Sequence, residues 1–162
     1  MKLHEIFLLV GSNIQPDQNI RRALRLLQES VSIQAISPVW ETPAVGSNGP
    51  NFLNLVVRIT SQRTPQGLKY NVLRKIEEQL GRIRSADKNA PRPIDLDILM
   101  FDKKSLEPNI WLQAHIACPL SGLLPDLVDP STGLNLSQLA LNFQKTSPVH
   151  RRTDLLFGEF IM

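Results

Sequence analysis

Four stretches rich in apolar and β-branched residues are predicted to be β-strands. Two of them, Val31–Trp40 and Asp95–Phe101, alternate apolar and polar residues with the period of two that is typical of strands. The first stretch ends at Gly11-Ser12-Asn13, residues that favour a turn. The third lies between a loop rich in Gly, Pro and Asn and the start of the next predicted helix. The predicted strands are Glu5–Val10, Val31–Trp40, Phe52–Ser61 and Asp95–Phe101.

Two further stretches repeat their apolar residues at the spacing of a helix, which predicts two amphipathic helices. The first runs from about Pro16 to Ser30, with Asp17 in its first turn, where a negative charge suits the helix dipole. The second opens at Thr64-Pro65 and runs from Gln66 to about Leu80. We expect Gly81 to end it as the residue just past the C-cap.

The pattern is weaker after the fourth strand. Asp102-Lys103-Lys104 reads as a turn, and Leu123–Leu127 as a short helical turn. Leu134–Phe143 is predicted to be helical, and Thr153–Ile161 forms either a strand or a helix.

The element order is therefore strand, helix, strand, strand, helix, strand. This order predicts an α+β fold of the ferredoxin-like βαββαβ kind: an antiparallel sheet with both helices on one face. The C-terminal part would add elements at the sheet edges. The 162 residues are expected to form one domain, residues 1–162.

Composition narrows the class of protein. The hydrophobic fraction of 42% is ordinary for a globular protein, and no apolar run approaches the length of a membrane span. The N-terminus lacks a signal-peptide cleavage pattern, and Cys118 is the only cysteine, which together favour a cytoplasmic protein. The net charge of +3 is too small to suggest a nucleic-acid partner, and the three histidines show no zinc spacing. We expect a monomer.

The fourth strand carries the residues that point to chemistry. Asp95 and Asp97 are two positions apart, so both carboxylates face the same side, with their Cα atoms roughly 7 Å apart at about 3.3 Å per residue. Leu96 and Ile98 would face the core. A pair of carboxylates on a rigid strand is a good seat for Mg²⁺. Taken alone, however, such a pair is more often a solvated strand face.

A basic segment precedes this strand. Between Gly81 and Ile94 the chain has three arginines, Arg82, Arg84 and Arg92, together with Lys88. Guanidinium groups bind phosphates, so the segment and the two carboxylates could hold a metal–polyphosphate complex. A solvated basic loop is the alternative. The chain contains no P-loop and no kinase-type glycine loop.

These motifs, in their order and spacing, resemble the 6-hydroxymethyl-7,8-dihydropterin pyrophosphokinase family. Pro91-Arg92-Pro93-Ile94-Asp95-Leu96-Asp97-Ile98 is close to the family signature. The other matching stretches are Gly11-Ser12-Asn13, Trp40-Glu41-Thr42-Pro43, Phe52-Leu53-Asn54, Glu77, Gly81-Arg82-Ile83-Arg84, His115 and Pro119-Leu120.

The resemblance implies Mg²⁺-dependent transfer of diphosphate from ATP to 6-hydroxymethyl-7,8-dihydropterin, with release of AMP. It implies two Mg²⁺ ions on Asp95 and Asp97, with Arg82 and Arg92 also in the catalytic group. Implied neighbours of ATP and its phosphates are Glu77, Arg82, Arg84, Arg92, Ile98 and His115. Implied pterin contacts are Phe52 by stacking, Asn54, and the backbone of Thr42, Pro43 and Val45.

The chain also departs from the family pattern. Asn89-Ala90 stands where the family usually has Trp-Gly, and Gln113-Ala114-His115 where it has Val-Pro-His. Only Ile116-Ala117-Cys118 separates His115 from Pro119-Leu120, where the family has a longer segment with an arginine for phosphate and a second stacking phenylalanine. Two alternatives therefore stay open: an enzyme with another acceptor, or a non-catalytic nucleotide-binding relative.

Overall fold

The computed structural model describes residues 2–44, 46, 48–85, 87 and 90–162. Within these residues seven strands form one sheet. The strands are β1 (His4–Ser12), β2 (Ser32–Ile36), β3 (Val39–Thr42), β4 (Phe52–Ser61), β5 (Asp95–Phe101), β6 (Lys104–Ser105) and β7 (His150–Arg152). The helices are α1 (Pro16–Gln28), α2 (residues 65–79), α3 (Ala114–Ser121) and α4 (Leu136–Thr146), followed by a 3₁₀ turn, Gly158–Phe160.

The sheet is antiparallel throughout, in the order β6-β5-β1-β4-β3-β7, with β2 also beside β4. The two central strands, β1 and β4, pair along their full described lengths, from His4 opposite Ser61 to Ser12 opposite Leu53. This arrangement confirms the predicted βαββαβ unit, and β6 and β7 lie at the two edges, as expected of the later elements.

The predicted second strand, Val31–Trp40, is wrong as a single element, because the chain breaks at Ser37-Pro38 into β2 and β3. Pro38 has no N–H to give to a strand ladder. Ser37 makes the local contacts instead: its N–H donates to the Val56 carbonyl and its hydroxyl accepts from the Val56 N–H, both at 2.8 Å. The second half then continues to Thr42, inside the candidate site.

Helix α2 confirms the predicted segment and contains an irregularity that the pattern does not show. Thr64 caps its N-terminus by accepting a hydrogen bond from the Gly67 N–H at 3.0 Å. Its middle, Lys69–Leu73, is π-helical, between α-helical Pro65–Leu68 and Arg74–Gln79. Gly81 has φ +90°, a conformation that glycine adopts without strain, and this matches its predicted role past the helix end.

The strands separate two cores, because alternate residues of β1 point to opposite faces. Ile6, Leu8 and Val10 pack with α1 and α2, as predicted for the two helices of the βαββαβ unit. Phe7 and Leu9 pack against α3 and α4 on the second face. Each large apolar side chain buried in this way contributes about 1.5–3 kcal/mol to folding.

The second core corrects the prediction for the C-terminal part, which the sequence placed at the sheet edges only. Helix α3 was not predicted, and its contacts place it across β3 and β4. Helix α4 was predicted as Leu134–Phe143 and is observed as Leu136–Thr146. The final stretch, Thr153–Ile161, is neither a full strand nor a helix beyond its 3₁₀ turn, and Phe157 and Phe160 anchor it in the first core. In the described residues no helix is long and apolar enough to cross a membrane.

Candidate active site

Strand β5 carries the two predicted metal-ligating residues on the second face of the sheet. Asp95 lies opposite Gly11 of β1 and Asp97 opposite Leu9. Leu96, between them, is buried in the first core, as predicted. Because side chains alternate along a strand, the two carboxylates share a face and stand beside each other at the start of β5.

Asp95 is held by two arginines from the basic segment. Nη1 of Arg82 donates to Oδ1 of Asp95, and Nη1 of Arg92 donates to Oδ2, both at 2.8 Å. The Arg82 side chain is 9% exposed, so this ion pair is largely shielded from water. The arrangement fixes the orientation of the carboxylate before any ligand binds.

Glu77 of α2 is the centre of the same ion-pair network. Its side chain is 3% exposed and accepts hydrogen bonds from Arg82, from Nη2 of Arg84 at 2.8 Å and from the Leu96 N–H at 2.9 Å. Glu77 is thus not the surface partner of Arg74 that helical spacing would allow. These contacts join α2, the basic segment and β5.

Asp97 has a different environment, although it lies only two residues away. In the described residues its carboxylate forms no ion pair. The pKa of Asp97 is raised to about 7, because the surrounding protein limits hydration of its charge and because the Asp95 and Glu77 carboxylates repel it. The outer surface of the residue stays exposed, so the group is reachable by a ligand.

A cavity of about 280 Å³ opens on this face of β5. It brings together eight residues that the sequence predicts for the site: Thr42, Pro43, Phe52, Asn54, Arg92, Asp95, Asp97 and His115. The predicted contact Val45 lies outside the described residues, as do Lys88 and Asn89.

The floor of this cavity depends on a close approach of β1 to β4. Asn54 is buried and donates from Nδ2 to the Thr42 hydroxyl at 2.8 Å. A Cβ on Gly11 would stand 2.6 Å from Oδ1 of Asn54, so only glycine leaves room for this side chain. Gly11 therefore serves the site by the space it leaves.

Asn13 ties the end of β1 to the basic segment. Its Oδ1 accepts from the Arg92 N–H at 2.7 Å, and its own N–H donates to the Arg92 carbonyl at 3.1 Å. This supports the structural interpretation of Gly11-Ser12-Asn13 over a direct ligand contact. It also holds the Arg92 backbone in place beside Asp95.

His115 lies in the first turn of α3 and lines the cavity. Burial lowers the pKa of its imidazole, while the Asp95 and Glu107 carboxylates oppose that shift. Burial thus favours the neutral imidazole, which can donate one hydrogen bond from one of its two nitrogens.

A second cavity, about 380 Å³, lies beside the first. Asp97 and Glu107 line both, so the two cavities meet at these carboxylates. Ile98, predicted to lie near the nucleotide, lines the second cavity and not the first. Its other walls come from α2, from β5 and from the segment after β6: Pro65, Gln66, Lys69, Tyr70, Leu73, Leu96 and Leu106.

The sequence did not predict several of these lining residues. Glu107, Asn109 and Gln113 lie between β6 and α3, a segment with no regular hydrophobic period and therefore no local signal. Lys69 and Tyr70 lie in the π-helical turn, and their exposure on an amphipathic helix is equally consistent with ordinary surface positions.

Comparisons with known proteins agree with this geometry. The sequence model of the 7,8-dihydro-6-hydroxymethylpterin-pyrophosphokinase (HPPK) family matches residues 7–125. A Pseudomonas aeruginosa protein named 2-amino-4-hydroxy-6-hydroxymethyldihydropteridine pyrophosphokinase is 30% identical over 149 residues, which cover 85% of this chain and 90% of that protein.

An Arabidopsis thaliana protein named folate synthesis bifunctional protein is 34% identical over 131 residues, 74% of this chain. That match covers 27% of the Arabidopsis protein, so the chain spans about a quarter of this relative.

The fold is shared with a crystal structure of Plasmodium falciparum HPPK-DHPS, wild type with pterin and p-hydroxybenzoate, at a TM-score of 0.67 and 14% identity. The likeness covers 88% of this chain and 42% of that one. The resemblance stated from the sequence motifs is thereby confirmed: with a family match over residues 7–125, the chain belongs to the 7,8-dihydro-6-hydroxymethylpterin-pyrophosphokinase family.

Proposed function

We propose that this protein transfers diphosphate from ATP to 6-hydroxymethyl-7,8-dihydropterin and releases AMP. The single observation that carries the proposal is that Asp97 lies where two cavities meet, beside an Asp95 held by two arginines. A transfer between two bound molecules needs two adjacent sites with the charge-compensating groups at their junction.

The first cavity suits the acceptor. Phe52 offers an aromatic face, and Asn54 with Thr42 offers buried polar groups at its floor. Ring stacking and edge hydrogen bonds are the two interactions that a flat, polar heterocycle can make. In this position the acceptor hydroxyl would lie toward the carboxylates of β5.

The second cavity suits the nucleotide. Ile98 and Leu73 give it apolar surface, and Lys69 and Tyr70 lie on its rim. Arg84, whose side chain is 51% exposed, is linked to β5 through its ion pair with Glu77. Cationic groups here would neutralise phosphate charge, and positioning with charge neutralisation is most of what phosphoryl-type transfer requires.

The residues at the junction of the two cavities supply part of a ligand set for Mg²⁺. Asp95 and Asp97 supply hard carboxylate oxygens on one strand face. Asp97 has no ion-pair partner among the residues that the structure describes, so its charge is left for a cation to compensate. In the described residues no cluster of three or more His, Cys, Asp or Glu forms a complete protein cage. Two carboxylates completed by substrate phosphates and waters are a usual donor set for Mg²⁺.

When held by Asp95 and Asp97, Mg²⁺ would neutralise charge on the transferred group. The chain's own residues do the rest. Arg82 and Arg92 orient Asp95, Glu77 orients Arg82, and Asn13 holds the Arg92 backbone. The acceptor hydroxyl oxygen then bonds to the β-phosphorus and releases its proton to solvent, as the bond from that phosphorus to the α–β bridging oxygen breaks and AMP leaves.

An enzyme with a different acceptor is the second candidate. One observation favours it: among the described residues that line the first cavity, Phe52 is the only phenylalanine, tyrosine or tryptophan. A single stacking ring holds a heterocycle less tightly than two, by about 0.5–1.5 kcal/mol for a lost aromatic contact. Two Mg²⁺ ions, a cytoplasmic location and a monomeric state stay predictions.

The test is AMP release from Mg·ATP with and without 6-hydroxymethyl-7,8-dihydropterin. We expect release that depends on the pterin in wild type and falls at least about a thousandfold in Asp97→Ala, since a lost metal ligand removes several kcal/mol of charge stabilisation. Asp126→Ala, an exposed carboxylate away from both cavities, is the matched control, and thermal unfolding checks that each variant is folded.

Two results would contradict the proposal. Full activity in Asp97→Ala would show that Asp97, at the junction of the two cavities, takes no part in the reaction. Absence of pterin-dependent AMP from wild type that still binds Mg·ATP would shift the function to another acceptor or to a binding role.

A further inference from the structure

The wall of the first cavity that α3 and its preceding segment provide is polar. Asn109, Gln113 and His115 line it, with Ile116 beside them. None of these belongs to the sheet that carries Phe52, Asn54 and the two aspartates. The acceptor cavity thus has one wall built on rigid strands and one built on the entry to α3.

Hydrogen bonds of α3 hold the Gln113 backbone in place, whereas its side chain forms no hydrogen bond with the helix. Gln113 is the N-cap of α3, with φ −121° and ψ 124°, and its carbonyl accepts from the Ile116 N–H at 3.1 Å and the Ala117 N–H at 2.9 Å. Its side chain makes no capping hydrogen bond. Ser, Thr, Asp or Asn at this position would cap the helix, whereas Gln leaves its carboxamide directed elsewhere.

The carboxamides of Gln113 and Asn109 are both half-buried at the cavity wall. Within the described part of the chain, neither side chain has a hydrogen bond to another protein group. A carboxamide offers two N–H donors and a carbonyl acceptor. Leaving such a group half-buried and unpaired costs free energy unless a ligand or water satisfies it.

We propose that Gln113, with Asn109 beside it, is a specificity-determining residue that hydrogen-bonds the polar edge of the bound acceptor. This rests on the proposed function, because it takes the first cavity as the acceptor site. The ligand class is a flat heterocycle that carries donors and acceptors on more than one edge. Asn54 and Thr42 would bind one edge from the sheet and Gln113 another edge from α3. These contacts hold the acceptor at its edges, in a cavity where Phe52 is the only phenylalanine, tyrosine or tryptophan among the described lining residues.

The test replaces Gln113 with an apolar side chain of equal length, Gln113→Met. We expect the KM for 6-hydroxymethyl-7,8-dihydropterin to rise about tenfold, the loss of one hydrogen bond to a half-buried group, with kcat and the KM for ATP unchanged. Asn109→Ala should raise the same KM by a smaller factor. Gln144→Met, on the exposed side of α4, is the matched control and should change nothing.

Several outcomes overturn the inference. A pterin KM within twofold of wild type in Gln113→Met would show that the carboxamide does not contact the acceptor. Parallel rises in the KM for ATP and the KM for pterin, or a lowered Tm, would assign Gln113 a structural role.

Failure of the proposed function is recognised separately, by titrating pterin into each variant with a non-hydrolysable Mg·ATP analogue present. Wild type that binds the pterin without releasing AMP contradicts the proposed reaction only, and the Kd ratio of Gln113→Met to wild type then decides the inference. Wild type that binds no pterin overturns both.

Discussion

Asp95 and Asp97 stand two residues apart on the same face of β5, yet their surroundings are opposite. Asp95 forms ion pairs with Arg82 and Arg92, and the ion pair with Arg82 is largely shielded from water. Asp97 has no ion-pair partner among the described residues, and its pKa is raised to about 7. Asp95 therefore belongs to the ion-pair network that stabilises the fold, whereas the negative charge of Asp97 has no cationic partner among the described residues.

The difference shows how a site can be stable and reactive at once. The network around Asp95 and Glu77 joins α2, the basic segment and β5, and so it orders the junction. Asp97 lies outside that network, where a cation is the natural compensating group. Functional sites often carry such local destabilisation. The same strand therefore holds a stabilising residue and a destabilising one.

The largest expected loss of stability comes from a change at Glu77, the centre of the ion-pair network around Asp95. Glu77→Gln keeps an acceptor for the Leu96 N–H but leaves Arg82 and Arg84 without their buried negative partner. We expect about 3 kcal/mol less free energy of unfolding, because removing one member of a buried ion pair leaves an uncompensated charge. Urea unfolding measures it. Glu78→Gln, an exposed neighbour on the same helix, is the control, and equal effects of the two changes would contradict the buried-network interpretation.

A smaller loss is expected at Asp95. Asp95→Asn removes the charge that faces Arg82 and Arg92 and should lower the free energy of unfolding by about 1–3 kcal/mol, the cost of leaving charged donors poorly paired. The comparison is with Asp17→Asn, which breaks an exposed ion pair with Arg21 and should cost only a few tenths of a kcal/mol. If Asp95→Asn left the free energy of unfolding unchanged, the ion pairs of Asp95 with Arg82 and Arg92 would not contribute to the stability of the protein in solution.

The effect on stability that we expect to be smallest has the opposite sign, because Asp97 is exposed and solvent screens the repulsion that raises its pKa. Asp97→Asn should make the metal-free protein more stable at neutral pH while abolishing activity. The folded-state pKa of Asp97, about 7, lies above its ordinary value of 3.8, so the stability that it contributes is present below pH 3.8 and is lost as the pH rises through 7. The variant's advantage in Tm should therefore be full above pH 7 and should shrink as the pH falls from 7 toward 4.

Thermal unfolding in EDTA between pH 5 and 8 measures this advantage, with Asp126→Asn as the control. A wild-type protein as stable as Asp97→Asn at pH 8 would mean that the Asp97 charge is already compensated, and the contrast with Asp95 would disappear. Added Mg²⁺ should raise the Tm of wild type and not that of Asp97→Asn.

The strands of the central unit were predictable because each is a run of apolar and β-branched residues bounded by turn or loop residues. Phe52–Ser61 and Asp95–Phe101 were predicted with the bounds that the structure has, and in Asp95–Phe101 the alternation of polar and apolar residues also sets the two faces. The same alternation put Asp95 and Asp97 side by side. The proline of the second predicted strand was the available sign that this segment would divide.

Helix α3 was not predictable in the same way. Ile116, Ala117, Cys118 and Leu120 are all buried, so the helix is apolar on nearly every side and shows no amphipathic period. Pro119 lies inside it and argues against a helix from sequence alone. This segment packs where it does because the apolar residues on the second face of the sheet, such as Phe7 and Leu9, are buried only when a helix lies over them.

By itself the sequence determined the βαββαβ order, the carboxylate pair, the basic segment and the family, because periodicity and motif spacing are local properties of the chain. The tertiary structure alone decided that Glu77 would bind Arg82 and Arg84, that Asn13 would bind the Arg92 backbone, and that Gln113 would line the first cavity. These contacts join residues on different elements. Their partners are set by how the helices pack on the two faces of the sheet, which no local pattern encodes.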